Sequence, residues 1–188
     1  MTTADRFDPF ATIHKGIRRI LFGLTVDAGR LDARDDDAVR AFAKRCRDAF
    51  ELLRAHARIE DEVYFPALLE RDPDALAAAG VEHGTEDDHM RGIEQHLDRV
   101  VQAGPGERLG AGVQLYRALS AFCADFLRHL AAEEEALVPA MWRVMTDDEL
   151  RALEARARAH PSAAAAERWL AELRAALSPA DGGQQGAA

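Results

Sequence analysis

The sequence is short of the features that mark several large classes of protein. Aromatic residues make up 6% of the 188 residues and β-branched residues are sparse. That argues against a sheet scaffold and favours an all-α chain built from Ala, Leu, Arg and Glu. No apolar run approaches the roughly eighteen residues of a membrane span. The opening residues, Met1 to Arg6, lack the basic-then-apolar pattern of a secretion signal, so the expected location is cytoplasmic. Lysine and arginine number 24 against 33 acids, for a formal net charge of −9, and they are scattered. Without a basic stripe, neither nucleic acid nor a membrane surface is an expected partner. Cysteine is limited to Cys46 and Cys123. Both fall within predicted helices, neither is one helical turn from a candidate ligand, and both are read as buried free thiols.

What is present is a doubled motif. His56 and Glu60, followed by Pro66, return seventy-three residues later as His129 and Glu133, followed by Pro139. Four residues apart on a helix, a His and a Glu are separated by about 40° around the axis and about 6 Å along it, so both reach one point. A single such pair on a charged helix is ordinarily a solvated surface pair. Here each His follows apolar residues at helical spacing: Ala49, Leu52 and Leu53 in one copy, Phe122 and Phe126 in the other. That pattern sets both pairs on the buried stripe.

The rest of the chain supplies helices to hold them. Asp8 and Pro9 start a first helix to about Ala28, whose stripe includes His14. Gly29 to Asp37 forms a turn, and a second helix continues to about Arg71, kinked by Pro66. Residues 72–79 form a connection with a short helical turn. A third helix runs from Thr85 to about Ala103, and a fourth from about Glu107 to Met145, separated by Gly104-Pro105-Gly106. On the third helix the spacing selects His89. His14 precedes His56 by 42 residues and His89 precedes His129 by 40, whereas His83 and His96 give 46 and 33. His96 stays open as the alternate, and His83 is read as loop. Thr146 to Glu149 is a capping box for a fifth helix ending at His160, and a sixth ends near Leu177. The expected organisation is a bundle over residues 8–150, a helical extension over 147–177 and a disordered tail over 178–188.

These motifs resemble the hemerythrin-like, or HHE cation-binding, domain family over roughly residues 8–150. The resemblance implies an up-and-down four-helix bundle holding two non-heme Fe ions. By position His14, His56, His89 and His129 are its terminal imidazole ligands, and Glu60 and Glu133 its bridging carboxylates. Oxygen-carrying hemerythrins have a fifth histidine four residues after the one on the third helix. Here that place is Ile93, which speaks against reversible oxygen carriage.

Mixed imidazole and carboxylate donors suit iron or manganese, lack the thiolates of a structural zinc site, and are too rich in nitrogen for calcium or magnesium. Two six-coordinate irons need about twelve donors; the six residues supply about eight and an oxo or hydroxo bridge about two more, leaving about two positions open. Glu134 can replace Glu133 after a small rotation. Tyr64, four residues after Glu60, either packs or borders the site as hydrogen-bond donor, ligand or redox relay. Asp61, Glu62, Glu134 and Glu135 otherwise point off the His–Glu face and are read as solvated acids or as acids that back the ligands, and His160 as a surface residue. The expected function is a di-iron protein that binds or turns over dioxygen, peroxide or nitric oxide, in sensing or peroxide removal, as a monomer or homodimer. An oxidative enzyme acting on a small organic substrate, and an iron-storage or iron-dependent interaction protein, are the alternatives.

Overall fold

A computed structural model of the chain describes residues 6–79 and 83–178. No strand occurs among them. The helices are α1 (Ala11–Arg30), α2 (Asp36–Ile59), α3 (Phe65–Leu69), α4 (Ala75–Ala79), α5 (His83–Gln102), α6 (Arg108–Ala132), α7 (Val138–Val144), α8 (Asp147–Ala159) and α9 (Leu170–Ala175). Two π-helical turns interrupt the series. Glu60–Tyr64 joins α2 to α3 and Glu133–Leu137 joins α6 to α7, while a 3-10 segment, Pro161–Trp169, joins α8 to α9. α1 packs on α2 and α6, and α5 packs on the same two helices, which closes a four-helix ring.

Capping fixes the starts. Asp8 Oδ1 accepts from the N–H groups of Phe10 at 2.8 Å and Ala11 at 3.1 Å, but α1 begins at Ala11 with Phe10 as its N-cap, two residues later than the expected start at Pro9. Asp35 accepts from Asp37 and Ala38 at the head of α2. Thr146 and Glu149 form the predicted capping box of α8. α5 begins at His83, two residues earlier than expected; the side chain of His83 lies outside the described residues, as does the chain beyond Ser178, where the tail was expected.

Apolar residues gather in two clusters along the bundle. The larger fills the ring with Ile17, Leu21, Phe50, Leu53, Leu97, Leu119 and Phe126, among others. The second joins Phe7 and Phe10 to Tyr64, Leu68, Leu137, Met141, Leu150 and Leu153. Each fully buried side chain of this size stabilises the fold by about 1.5–3 kcal/mol. Arg6 ties the N-terminal segment to the second cluster through the carbonyls of Trp142 at 3.0 Å and Met145 at 2.8 Å.

The extension differs from the expected pair of α-helices. After α8 the chain winds as a nine-residue 3-10 helix before α9. Such runs are uncommon because their hydrogen bonds are poorly aligned, and tertiary contacts hold this one at both ends. His160 accepts from Ser162 N–H through Nδ1 at 3.2 Å and meets Glu62 through Nε2 at 3.0 Å. At the other end Arg168 reaches Asp48 at 2.9 Å and Glu51 at 3.0 Å. Trp169 is buried, with the Arg45 guanidinium over its ring. The segment and α9 thereby lie across α1 and α2. α9 approaches so closely that a Cβ placed on Gly16 would stand 3.3 Å from Leu173 Cα.

Candidate metal centre

The two prolines explain the two π turns. Pro66 and Pro139 carry no N–H and crowd the carbonyl four residues back, so the α-helical register cannot pass through them unchanged. Each helix takes in one extra residue instead. Phe65 N–H bonds to Glu60 O and Val138 N–H to Glu133 O, five residues back in both cases. Each π turn therefore begins on one of the two motif carboxylates, and π turns of this kind concentrate at functional sites.

Between the two apolar clusters these turns deliver a buried polar group. His14, His56, Glu60 and Glu133 each offer one ligand atom, and these atoms lie within 4.8 Å of one another. His14 and Glu133 are 0% exposed, Glu60 1% and His56 7%. His56 Nε2 stands 3.1 Å from Glu60 Oε1, and His129 Nε2 3.2 Å from Glu133 Oε1, so the two halves of the motif repeat each other in space. His14 Nε2 faces both carboxylates, at 3.4 Å from Glu133 Oε2 and 3.9 Å from Glu60 Oε1. Its ring stacks on Phe10 and meets the His56 ring edge-on.

The imidazoles are backed from outside. His14 Nδ1 lies 2.9 Å from Glu134 Oε1, and Arg18 holds that carboxylate with two hydrogen bonds, 2.6 and 2.8 Å. Glu134 thus orients the opposite nitrogen of His14 inward instead of entering the cluster in place of Glu133. His129 Nδ1 faces Glu86 Oε1 at 3.6 Å from α5. Arg18 and Glu86 are the residues that sequence reasoning missed. Glu86 carried only the signal of an acid in a first helical turn, and Arg18 carried none.

Electrostatics shows what this site wants. Burial works to depress the His14 imidazole, but its bonds to Glu134 and Glu60 and the charge of Glu133 override that and push it up to about 9. Burial likewise works to raise Glu134, yet His14 and Arg18 hold it down to about 2. Two carboxylates in a low-dielectric interior demand positive charge, and a bound cation meets that demand as well as an imidazolium does. The donors fit a metal ion: imidazole nitrogen and carboxylate oxygen, converged and shielded from water.

Not every expected residue joins. His89 is exposed on α5, because Met90, Ile93, Leu97 and Val100 turn inward and His89 sits about 100° from Met90 around the axis. His96, partly buried, is outside the cluster too. Ile93 is a core residue, so it has no bearing on a ligand position once His89 faces solvent. Tyr64 is buried with its ring edge-on to Phe10. Burial, with Glu154 and Glu60 nearby, raises its phenol above the usual range, which disfavours a phenolate. Asp61, Glu62 and Glu135 are exposed. His160 holds Glu62 across the foot of the extension. Cys46 and Cys123 are buried free thiols, as expected.

A family model, the hemerythrin HHE cation-binding domain, matches residues 7–141. The chain belongs to that family. The hemerythrin HHE match spans α1 through most of α7, and with them every residue of the cluster. It ends before α8, so the extension lies outside it. No curated protein matches the chain. Family and buried cluster together point to a metal-binding protein, and no described helix is long and apolar enough to cross a membrane.

Proposed function

We propose that this hemerythrin HHE protein is a non-heme di-iron protein that binds or reacts with dioxygen, peroxide or nitric oxide. The observation that carries the reading is the fully buried set of His14, His56, Glu60 and Glu133, with His129 paired to Glu133. Doubling favours two ions: each π turn brings its own His–Glu pair, and His14 faces both carboxylates. In this reading His14, His56, His129, Glu60 and Glu133 would hold the ions. Imidazole with carboxylate suits iron. Bound iron supplies the redox change and the coordination of the small oxygen or nitrogen ligand.

The chain's own residues divide the remaining work. Glu134 and Arg18 fix the orientation of His14, leaving Nε2 for the metal. Phe10 and the apolar clusters on either side keep the centre dry. A cavity of about 380 Å³, lined by Arg54, His56, Asp61, Glu86, Asp87 and His129 among others, supports a polar approach between α2 and α5.

Anaerobic reconstitution with ferrous iron, followed by elemental analysis and exposure to oxygen or peroxide, tests the reading. About two irons per chain are expected, together with oxidation on exposure. Catalytic gas evolution from peroxide assigns peroxide removal, and a single stoichiometric oxidation assigns binding or storage. One metal per chain, or a protein that takes up zinc and refuses iron, overturns it.

A further inference from the structure

Residues beyond the family match form one wall of a cavity of about 410 Å³, and the bundle forms the other. Phe10, Ile13, Leu52, Ile59 and Tyr64 line the bundle side, and His56 is part of the same wall. Alanines and leucines of α8, the 3-10 segment and α9 cover them from outside, including Ala157, Ala163, Ala166, Leu170 and Leu173. The volume falls in the range of about 300–1,000 Å³ that holds an organic ligand. A small diatomic needs none of this space.

Charge narrows the class of occupant. The charged residues lining the cavity are Glu154, Arg158 and Arg174, one acid and two bases, in a protein of net charge −9. Arg158 is committed to Glu154 at 2.7 Å. Arg174 is exposed and makes no ion pair among the described residues. The cavity is thus largely apolar within, and among the described residues the exposed Arg174 on its lining has no ion-pair partner.

We propose that this cavity binds an apolar carboxylic acid, the carboxylate held by Arg174 and the hydrocarbon chain running inward to the wall formed by Tyr64 and His56. The geometry follows from exposure: Arg174 faces solvent, while His56 and Tyr64 are 7% and 4% exposed. Apolar surface supplies affinity along the chain and the guanidinium selects the charged end. Binding here does not depend on the metal being iron, because the cavity is shaped by α1, α2 and the extension. The extension thereby walls a ligand site beside the centre, and His56, one of the candidate metal ligands, is shared between the two.

Calorimetric titration with decanoate and decanol, on the protein as purified, tests this. Decanoate should bind once per chain. Arg174→Gln should weaken decanoate about fivefold while leaving decanol unchanged, since only the charged hydrogen bond is lost. Ala163→Phe should abolish binding of both by filling the cavity. Leu170→Trp, at an exposed position on the same wall, replaces it if that variant melts early. Absence of decanoate binding, an Arg174→Gln protein that binds it undiminished, decanol bound as tightly as decanoate, or binding that survives both filling variants would each overturn the proposal.

Discussion

At the scale of the residue, His14 shows how the centre is held. One face of its ring rests on Phe10, one nitrogen faces Glu134, and the other turns toward Glu60 and Glu133. Carboxylates that orient a ligating imidazole typically contribute about 10–100-fold to metal affinity. Glu134→Ala, and Arg18→Met through Glu134, are therefore expected to weaken metal binding by that order in a chelator competition while leaving circular dichroism unchanged. Wild-type affinity in both variants would remove the role. His56→Ala and His129→Ala should each lose most of the metal by elemental analysis, whereas His89→Ala and His96→Ala should keep it. Much of this was legible. His14, His56, Glu60, His129 and Glu133 all sit on apolar stripes with helical spacing. The role of Arg18 was not, because 116 residues separate it from Glu134 and only the assembled bundle brings them together. His89 was selected by comparing spacings between halves of the chain, and spacing says nothing about which way a side chain turns.

At the scale of the element, the two π turns are a local cost accepted for the placing of Glu60 and Glu133. Pro66→Ala restores an N–H to the turn and removes the clash that displaces the register. It should raise or preserve the melting temperature of the metal-free protein and lower its metal affinity. A variant that binds metal as tightly as wild type would show that the proline does not position Glu60. The capping box at the start of α8 offers a plainer test. Thr146→Ala should cost about 1 kcal/mol in denaturant unfolding, as expected for a lost N-cap. The box was legible because both of its partners lie within four residues. The 3-10 segment was not: its Ala-rich sequence favours an α-helix, and it is the distant Asp48, Glu51 and Glu62 that hold it otherwise.

At the scale of the whole molecule, two buried carboxylates and the imidazoles around them lie between two apolar clusters, so metal and fold are coupled. Without a metal ion the raised His14 imidazole offsets only part of the charge of Glu60 and Glu133, and stability should fall by several kcal/mol, on the order of one buried charge left uncompensated. Thermal melts before and after chelation measure it, and coincident curves would place the metal elsewhere. Helical content and the ring of four helices follow from composition and period, which is why the fold class could be read directly. The cavity beside His56 could not, since it arises where the extension crosses α1 and α2, and Gly16, the residue that permits that crossing, has no distinctive sequence setting.

An extra residue wound into a turn also alters how inheritance can change such a helix. Leu68 lies twelve residues after His56, and Met141 twelve after His129. At about 100° per residue, an unbroken α-helix would swing each of them about 120° away from its histidine. Both are instead 0% exposed, because each π turn absorbs the rotation of one residue. Excising a single residue from a helix ordinarily turns everything downstream out of the core. Excision within Glu60–Tyr64 would remove the extra residue and keep Leu68 facing inward, at the cost of the kink that Pro66 then imposes on the helix. The two turns are therefore where this chain should tolerate a one-codon deletion in its folding while losing its centre, so that folding and metal binding can be separated by the smallest change in length a gene can make.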